Sequence, residues 1–233
     1  MYKRQLTDCP EDFGKRITIA SNTQNKIEKR DFVSLDPIQQ NLRTELALLG
    51  ITYQYKRTDE PMPNDDKNCS LEEATVALAA NSEKINNSVL AKREIGKLWE
   101  DITLPPYTDL FNESLKAYVM WNSIKVYRAV QKYININKDD KTAREKSTYT
   151  YGNYFVLNII FSLIPKEKIL NPNRNLNVYL EADEFKKQIQ KIIDTAYLEG
   201  EKNYPSSLIH QLYRNYTKCT DLKNRVISTL SSL

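Results

Sequence analysis

The sequence predicts a mainly α-helical fold: a multi-helix domain with a small β element near residues 51–57, an α+β remnant at the N-terminal end. Three observations support this prediction. Glycine is scarce, with 5 among 233 residues, so long stretches run without a helix breaker. Apolar residues recur every three or four positions over most of those stretches, which is the period of an amphipathic helix. Only one segment shows the two-residue alternation of a strand.

The best-marked helix is predicted over residues 37–49. Asp36 supplies a cap, Pro37 occupies the first helical position, and Gln39 stands third, in the manner of a capping box. Gly50 provides the C-terminal stop. The apolar face is formed by Ile38, Leu42, Leu46 and Leu49.

The β element follows this helix directly. Residues 51–57 alternate apolar and polar side chains, which indicates a half-buried strand. A strand needs a hydrogen-bonded partner, and the candidates are residues 17–19 or residues lost upstream. Residues 17–19 otherwise belong to a helix predicted to start near Asp8, with Pro10 at its first helical position.

The rest of the chain is predicted to be helical. Ser70 and Glu73 form a capping box at the start of one helix. The longest helix is predicted over residues 108–133, and its apolar stripe is typical of a packed core rather than a cofactor site. Residues 154–164 are apolar on nearly all sides and predict a buried helix. Further helices are predicted at residues 88–100 and from near residues 181, 205 and 220.

Two domains are predicted, an N-terminal α/β remnant over residues 1–66 and a helical domain over residues 67–233. One continuous domain is the alternative, since no linker is long enough to require a division. The hydrophobic content of 40% and charged content of 27% are ordinary for a soluble globular protein. The net charge of +4 permits a polyanionic partner, although well-mixed charges usually form a solvated surface.

No complete catalytic site can be recognised in the sequence. With a single histidine, His210, Ser-His and His-metal sites are hard to build. The three cysteines lie far apart, which predicts buried thiols in a reducing, cytoplasmic setting. An enzymatic function would require Asp139 or Asp140 to lie beside Glu181 and a lysine in one cleft. We therefore expect no metal, no cofactor and no catalytic residue, and the longest apolar run is too short to span a membrane.

The polar run Asn22, Thr23, Gln24 and Asn25 is the first candidate for ligand binding. Amide side chains offer donors and an acceptor but transfer no protons, so they suit recognition of bases, sugars or backbone. The alternative is that these side chains satisfy the carbonyl groups of a helix end and stabilise the following turn.

A basic pair forms the second candidate. Lys56 and Arg57 follow Tyr53 and Tyr55, and basic groups interleaved with aromatic rings suit phosphate contact and base stacking. A solvated strand edge carrying lysine is the alternative. The ligand-binding candidates are therefore Asn22, Thr23, Gln24, Asn25, Tyr55, Lys56 and Arg57.

The order of these features resembles the abortive infection phage resistance (AIPR) family. The matching residues, in chain order, are Asn22, Thr23, Gln24, Asn25, Arg30-Asp31, Asp36-Pro37, Gln39, Tyr53, Tyr55, Lys56 and Arg57. The segment that starts at Tyr107 matches less specifically, and the resemblance is good from about Asp8 to Tyr133 and loose beyond. It implies a prokaryotic, cytoplasmic antiviral-defence protein that contacts nucleic acid or nucleotide through the polar run.

The resemblance also implies that part of the family pattern is missing. An upstream asparagine and glycine-glutamine-threonine element, and an N-terminal nuclease-like region, have no counterpart in this sequence. Residues 1–5 resemble a translated sequencing adapter, so we expect the native protein to begin upstream and catalysis to lie outside this chain. The candidate partners are nucleic acid, the missing N-terminal region or another defence protein. The alternative function is a non-catalytic helical module for protein–protein interaction.

Overall fold

The computed structural model describes residues 33–55, 66–82, 84, 95–137, 153–172, 175–204, 209–213 and 215–231. Helices dominate these residues, and the predicted fold class is confirmed. The elements are α1 (Pro37–Leu48), β1 (Thr52–Gln54), β2 (Asn68–Ser70), α2 (Leu71–Asn81), a 3-10 helix (Ile95–Trp99), α3 (Tyr107–Leu110), α4 (Ala117–Asn137), α5 (Asn153–Leu163), α6 (Lys166–Leu170), α7 (Leu176–Glu181), α8 (Asp183–Asn203), α9 (Ile209–Leu212) and α10 (Tyr216–Ser231).

Helix α1 begins and ends where the sequence predicts. The Asp36 carboxylate accepts a hydrogen bond from the backbone N–H of Ile38 at 3.0 Å, which satisfies one of the free donors of the first turn. Beyond the other end, Gly50 has a φ of +73°, a left-handed conformation that a side chain disfavours. The predicted apolar face differs at one position, because Leu49 is 52% exposed.

The predicted role of Gln39 as a capping-box residue is wrong. Its side chain is fully buried and bonds two tyrosine hydroxyls instead of reaching back to the helix cap. The sequence pattern could not distinguish the two roles, because position N3 of a helix also faces the core when the helix packs on a strand.

The β element is a two-stranded parallel sheet. Strand β1 pairs with β2 in the register Thr52↔Asn68, Tyr53↔Cys69 and Gln54↔Ser70. The strand predicted over residues 51–57 is confirmed over the three residues of β1. Its partner β2 carried no strand signal in the sequence, and the partner considered at residues 17–19 lies outside the described residues.

Helix α2 is the central helix of the structure. Its predicted capping box is confirmed: the Ser70 hydroxyl accepts from the Glu73 N–H, and the Glu73 carboxylate accepts from the Ser70 N–H, both at 3.2 Å. Residues 74–80 are all buried, and α2 packs against both α4 and α5. A helix that is buried all round needs apolar side chains on every face, as this one has.

The single helix predicted over residues 108–133 is wrong, because two helices, α3 and α4, occupy that region. Between them, the Asn112 side chain accepts hydrogen bonds from the Ser114 N–H, at 3.0 Å, and from the Ser114 hydroxyl. This local turn competes with continuation of the helix. Helix α4 begins at Ala117, and its cap comes from another helix. The Glu45 carboxylate of α1 accepts a hydrogen bond from the Ala117 N–H at 3.2 Å.

The C-terminal helices close the core. Helix α5 is apolar and buried, as predicted for residues 154–164. Tyr133 of α4 donates to the Gln190 side chain of α8 at 2.7 Å, and Tyr204 at the end of α8 donates to Asp221 of α10 at 3.0 Å. Buried side chains from Val33 to Val226 form one hydrophobic cluster.

The division of the chain at residue 66 stays a prediction, although β1 and β2 lie on its two sides and pair. Within the described ranges, no helix combines the length and apolar character required to cross a bilayer.

Candidate functional site

A buried chain of hydrogen bonds connects α1, β1 and α3. The Tyr53 hydroxyl of β1 donates to Gln39 Oε1 of α1 at 2.6 Å, and Gln39 Nε2 donates to the Tyr107 hydroxyl of α3 at 2.9 Å. The Tyr107 hydroxyl in turn donates to the Asp36 carboxylate, which also caps α1. We call these four residues, Asp36, Gln39, Tyr53 and Tyr107, the anchor network.

The anchor network lies in the protein interior. Asp36, its most accessible member, is 7% exposed, and Gln39 is completely buried. Burial raises the pKa of Tyr107 well above its ordinary value, the hydrogen bond to Asp36 raises it further, and the bond from Gln39 opposes this. Tyr107 therefore remains a neutral hydroxyl that can donate to the carboxylate at physiological pH.

Tyr55 extends this arrangement beyond the strand. Alternate residues of a strand share a face, and the rings of Tyr53 and Tyr55 stack with centroids 5.7 Å apart and an interplanar angle of 28°. Tyr55 is 3% exposed. On α3, Tyr107 packs on Phe111 with centroids 5.1 Å apart. At the C-terminal end of β1, two stacked and buried tyrosine rings therefore accompany the hydrogen bonds.

Strand β2 is held differently, by a charged group. Arg128 of α4 makes a two-bond pair with the Glu73 carboxylate, with Nε at 3.0 Å and Nη2 at 2.9 Å from its two oxygens. The same guanidinium donates to the backbone carbonyls of Asn68, at 2.6 Å, and Asp66, at 3.4 Å. Its central carbon lies 5.5 Å from the centroid of the Trp121 ring. We call Glu73 and Arg128 the arginine clamp.

Arg128 keeps its positive charge in the arginine clamp. Burial lowers the pKa of Arg128, but the hydrogen bonds and the negative charge of Glu73 outweigh that effect, so the pKa is raised above its ordinary value. Glu73 serves the cap of α2 and the clamp at once. The sequence showed its capping role but not its partner, because Arg128 lies 55 positions away and no local spacing rule connects the two residues.

Six of the seven predicted ligand-binding residues lie outside the described residues: Asn22, Thr23, Gln24, Asn25, Lys56 and Arg57. The structure places the seventh, Tyr55, in the core against Tyr53. A ligand role for Tyr55 stays a prediction, and the contacts found here are internal ones.

The other groups considered for chemistry are distributed as follows. Asp139, Asp140 and Cys9 lie outside the described residues, as does the side chain of His210. Cys69 and Cys219 are buried and free, as predicted. Burial raises the pKa of each thiol to about 12, with Glu73 adding to the shift at Cys69. Among the described residues, no group of three or more His, Cys, Asp or Glu side chains could hold a metal ion.

The anchor network is built from residues on which the family resemblance rests. Asp36, Gln39 and Tyr53 belong to the matching motifs, and Tyr107 opens the later, less specific one. A comparison with protein-family models matches residues 4–208 to the family described as AIPR protein. The chain belongs to the AIPR family. The match continues well past residue 133, beyond which the motif resemblance is loose.

Membership of the AIPR family relates the chain to proteins of abortive infection and anti-phage defence. No curated protein and no solved structure matches this chain. Among the motif residues of this AIPR chain that the structure describes, Asp36, Gln39, Tyr53 and Tyr107 connect elements of the fold.

Proposed function

We propose that this AIPR chain is the part of an anti-phage defence protein that contacts nucleic acid. Asn22, Gln24 and Asn25 would face the ligand, Lys56 and Arg57 would contact phosphate groups, and catalysis would be carried outside this chain. Action in the cytoplasm follows from the same proposal and agrees with the free thiols of Cys69 and Cys219.

One observation carries this proposal. The anchor network gives Asp36, Gln39, Tyr53 and Tyr107 a structural role that accounts for their place in the family motifs. The polar run and the basic pair lie outside the described residues. We assign ligand recognition to them on the chemistry of their side chains.

The chemistry of those remaining residues suits a nucleic acid. Lysine and arginine neutralise backbone phosphates and give salt-dependent affinity, whereas amide side chains form paired hydrogen bonds with base edges. Phosphate contacts position a nucleic acid and base contacts distinguish its sequence. Lys56 and Arg57 would therefore supply affinity, and Asn22 and Gln24 would supply selectivity.

The proposal is tested by replacing Asn22 and Gln24 with alanine in the full-length protein. We expect phage protection and nucleic-acid binding to fall while the thermal unfolding temperature is unchanged. The matched control replaces Gln40 and Asn41, two exposed amides on α1, with alanine. If the Asn22/Gln24 variant retains both protection and binding at unchanged stability, the polar run is only a turn and the proposal is wrong.

A second candidate function is a protein–protein interaction module. The observation that favours it is the pair Leu48 and Leu49 at the end of α1, which are 83% and 52% exposed. Adjacent exposed leucines can mark a docking surface, although single exposed apolar residues are common. Replacing both with serine would abolish protection without changing nucleic-acid binding if this function is correct. The nucleic-acid proposal predicts that this variant protects normally.

A further inference from the structure

We propose that one side of α4 is a contact surface for single-stranded nucleic acid, in which Lys125 and Lys132 bind backbone phosphates and Trp121 packs on a base. We call these three residues the α4 basic face. This inference rests on the proposed function, that the chain contacts nucleic acid. It adds a surface that none of the family motifs includes.

The α4 basic face lies on the side of the helix that points away from the core. Its residues follow one another at intervals of four and seven positions and therefore share one side of a helix. Lys132 is exposed, whereas Trp121 and Lys125 are half-buried. The opposite side of α4 is buried and is formed by Val126, Val130 and Ile134.

The charge of α4 is uncompensated within the helix itself. Its 21 residues include three basic side chains but no aspartate or glutamate. Arg128 is occupied by Glu73 in the arginine clamp. Lys125 and Lys132, however, form no ion pair with any residue in the described ranges.

Other helices of the structure balance their basic side chains locally. On α8 and α10, acids stand three or four positions away from basic residues and pair with them at 2.9 Å: Lys186–Asp183, Lys202–Glu199 and Arg225–Asp221. The unbalanced positive side of α4 therefore differs from an ordinary solvated helix surface. Such a side attracts a polyanion.

Lys125 supplies a second reason to expect an anion here. An ammonium group that is partly removed from water loses hydration free energy unless an opposite charge replaces the water. Burial lowers the pKa of Lys125 for this reason. A bound phosphate beside Lys125 would offset that loss.

The aromatic ring of Trp121 distinguishes nucleic acid from other polyanions. Every base presents a flat π surface, so stacking on an aromatic side chain adds affinity at any sequence. The Arg128 guanidinium lies over the Trp121 ring, 5.5 Å from its centroid, and helps to hold the ring in place. An acidic protein segment would use the two lysines but would not require the indole.

The test measures binding of a fluorescein-labelled oligothymidylate to the full-length protein by anisotropy over a salt series. The test variant is Lys125→Gln with Lys132→Gln. The matched control is Lys187→Gln with Lys191→Gln, which removes the same charge from exposed positions of α8. Asn22→Ala with Gln24→Ala tests the proposed function separately.

We expect the Lys125/Lys132 variant to bind about tenfold more weakly at physiological salt. The slope of log affinity against log salt concentration should decrease by about 1.4, because each phosphate contact on a single strand contributes about 0.7. The thermal unfolding temperature should not fall, since Lys125→Gln removes a half-buried charge without a described partner. An equal loss of affinity in the Lys187/Lys191 control would show a general effect of net charge and would overturn the inference.

The two hypotheses can fail separately. If the Asn22/Gln24 variant loses affinity while the Lys125/Lys132 variant binds like the parent protein, the α4 basic face is not a contact surface and the proposed function stands. If the Lys125/Lys132 variant alone loses affinity, the contact lies on α4 and its assignment to the polar run is wrong. If the parent protein binds no nucleic acid, both are wrong.

Tryptophan fluorescence tests the stacking contact directly. Unlabelled oligothymidylate should quench the parent protein more than Trp121→Phe. Trp99 should not respond, because it is buried and donates to the Thr75 hydroxyl at 3.0 Å. Equal quenching of the two proteins would place the nucleic acid away from Trp121 and contradict the inference. Displacement of the labelled DNA by polyglutamate as efficiently as by unlabelled DNA would also contradict it, and would indicate an acidic protein partner instead.

Discussion

The two strands of the small sheet are attached to the helices by different kinds of interaction. Strand β1 is held by the anchor network, which is buried. The carboxylate of this network belongs to Asp36 and also caps helix α1. Strand β2 is held by the arginine clamp, in which the side chains of Arg128 and Glu73 are 30% and 25% exposed. The attachment of β1 depends on complete hydrogen bonding in the protein interior. The attachment of β2 depends on a charged pair at the edge of that interior.

This difference determines how each attachment should fail. A buried polar group that loses its partner keeps the full cost of its removal from water. A partly exposed ion pair that loses one partner lets the other be hydrated, and salt screens what remains. The β1 attachment should therefore be the more costly to break and the less sensitive to salt.

The largest effect is expected for Gln39→Met, which keeps the side-chain volume and removes both hydrogen-bonding groups. Tyr53 loses its acceptor and Tyr107 loses a donor, both in the interior. We expect a loss of about 3 kcal/mol in the free energy of unfolding, measured in urea. Gln40→Met, at the exposed neighbouring position, should change it by less than about 0.5 kcal/mol. Equal effects would show that the network is energetically unimportant.

The arginine clamp should give a smaller, salt-dependent effect. Arg128→Met removes the two-bond pair with Glu73 and the bonds to the carbonyls of Asn68 and Asp66. We expect a loss of about 2 kcal/mol at low salt, decreasing as sodium chloride is added. The loss at Gln39 should not decrease in this way. A salt-independent loss at Arg128 would contradict the distinction between the two attachments.

A third variant compares complete with incomplete hydrogen bonding. Asn158 of α5 donates to the Ala80 carbonyl at 2.7 Å, but its Oδ1 is buried and accepts no hydrogen bond from any residue that the structure describes. In Asn158→Leu, the lost bond is offset by relief of that buried oxygen. We expect a change within about 1 kcal/mol in either direction. A loss as large as that of Gln39→Met would show that Asn158 Oδ1 is satisfied in solution.

The smallest effect on stability is expected for Arg128→Lys. The reactivity of the Cys69 thiol in β2 measures this effect locally. Burial raises its pKa to about 12, so at pH 8 the thiol is protonated and unreactive while β2 stays packed. On a Cys9→Ser background, Arg128→Lys should accelerate its reaction with a disulfide reagent. Cys219, with a pKa also near 12, is the internal control. Equal acceleration at both thiols would indicate global rather than local opening.

Local signals predicted much of the fold. The caps at Asp36 and Ser70 and the stop at Gly50 were predicted correctly, because each depends on a few adjacent residues and on backbone geometry. The buried helix α5 was predicted from composition alone. The break between α3 and α4 was not predicted, because the apolar pattern continues across it. That pattern does not show that the turn at Asn112 interrupts the helix.

The contacts within the candidate site, in contrast, could not be predicted from the sequence. The sequence drew attention to Asp36, Gln39 and Tyr53 as motif residues, but not to their mutual contact. Tyr53 and Tyr107 lie 14 and 68 positions from Gln39 along the chain. No spacing rule connects such distant positions, and an amide at position N3 is equally suited to capping its own helix.

By itself, the sequence determined the helical class, the helix caps, the burial of α5 and the family to which the chain belongs, because these follow from local propensity, apolar periodicity and short motifs. Only the tertiary structure decided that Gln39 serves β1 rather than its own helix, that Glu73 is paired with Arg128, and that β1 runs parallel to β2. The physical reason is that a buried polar group bonds whichever partner the packed core brings within about 3 Å, and that proximity is a property of the whole fold.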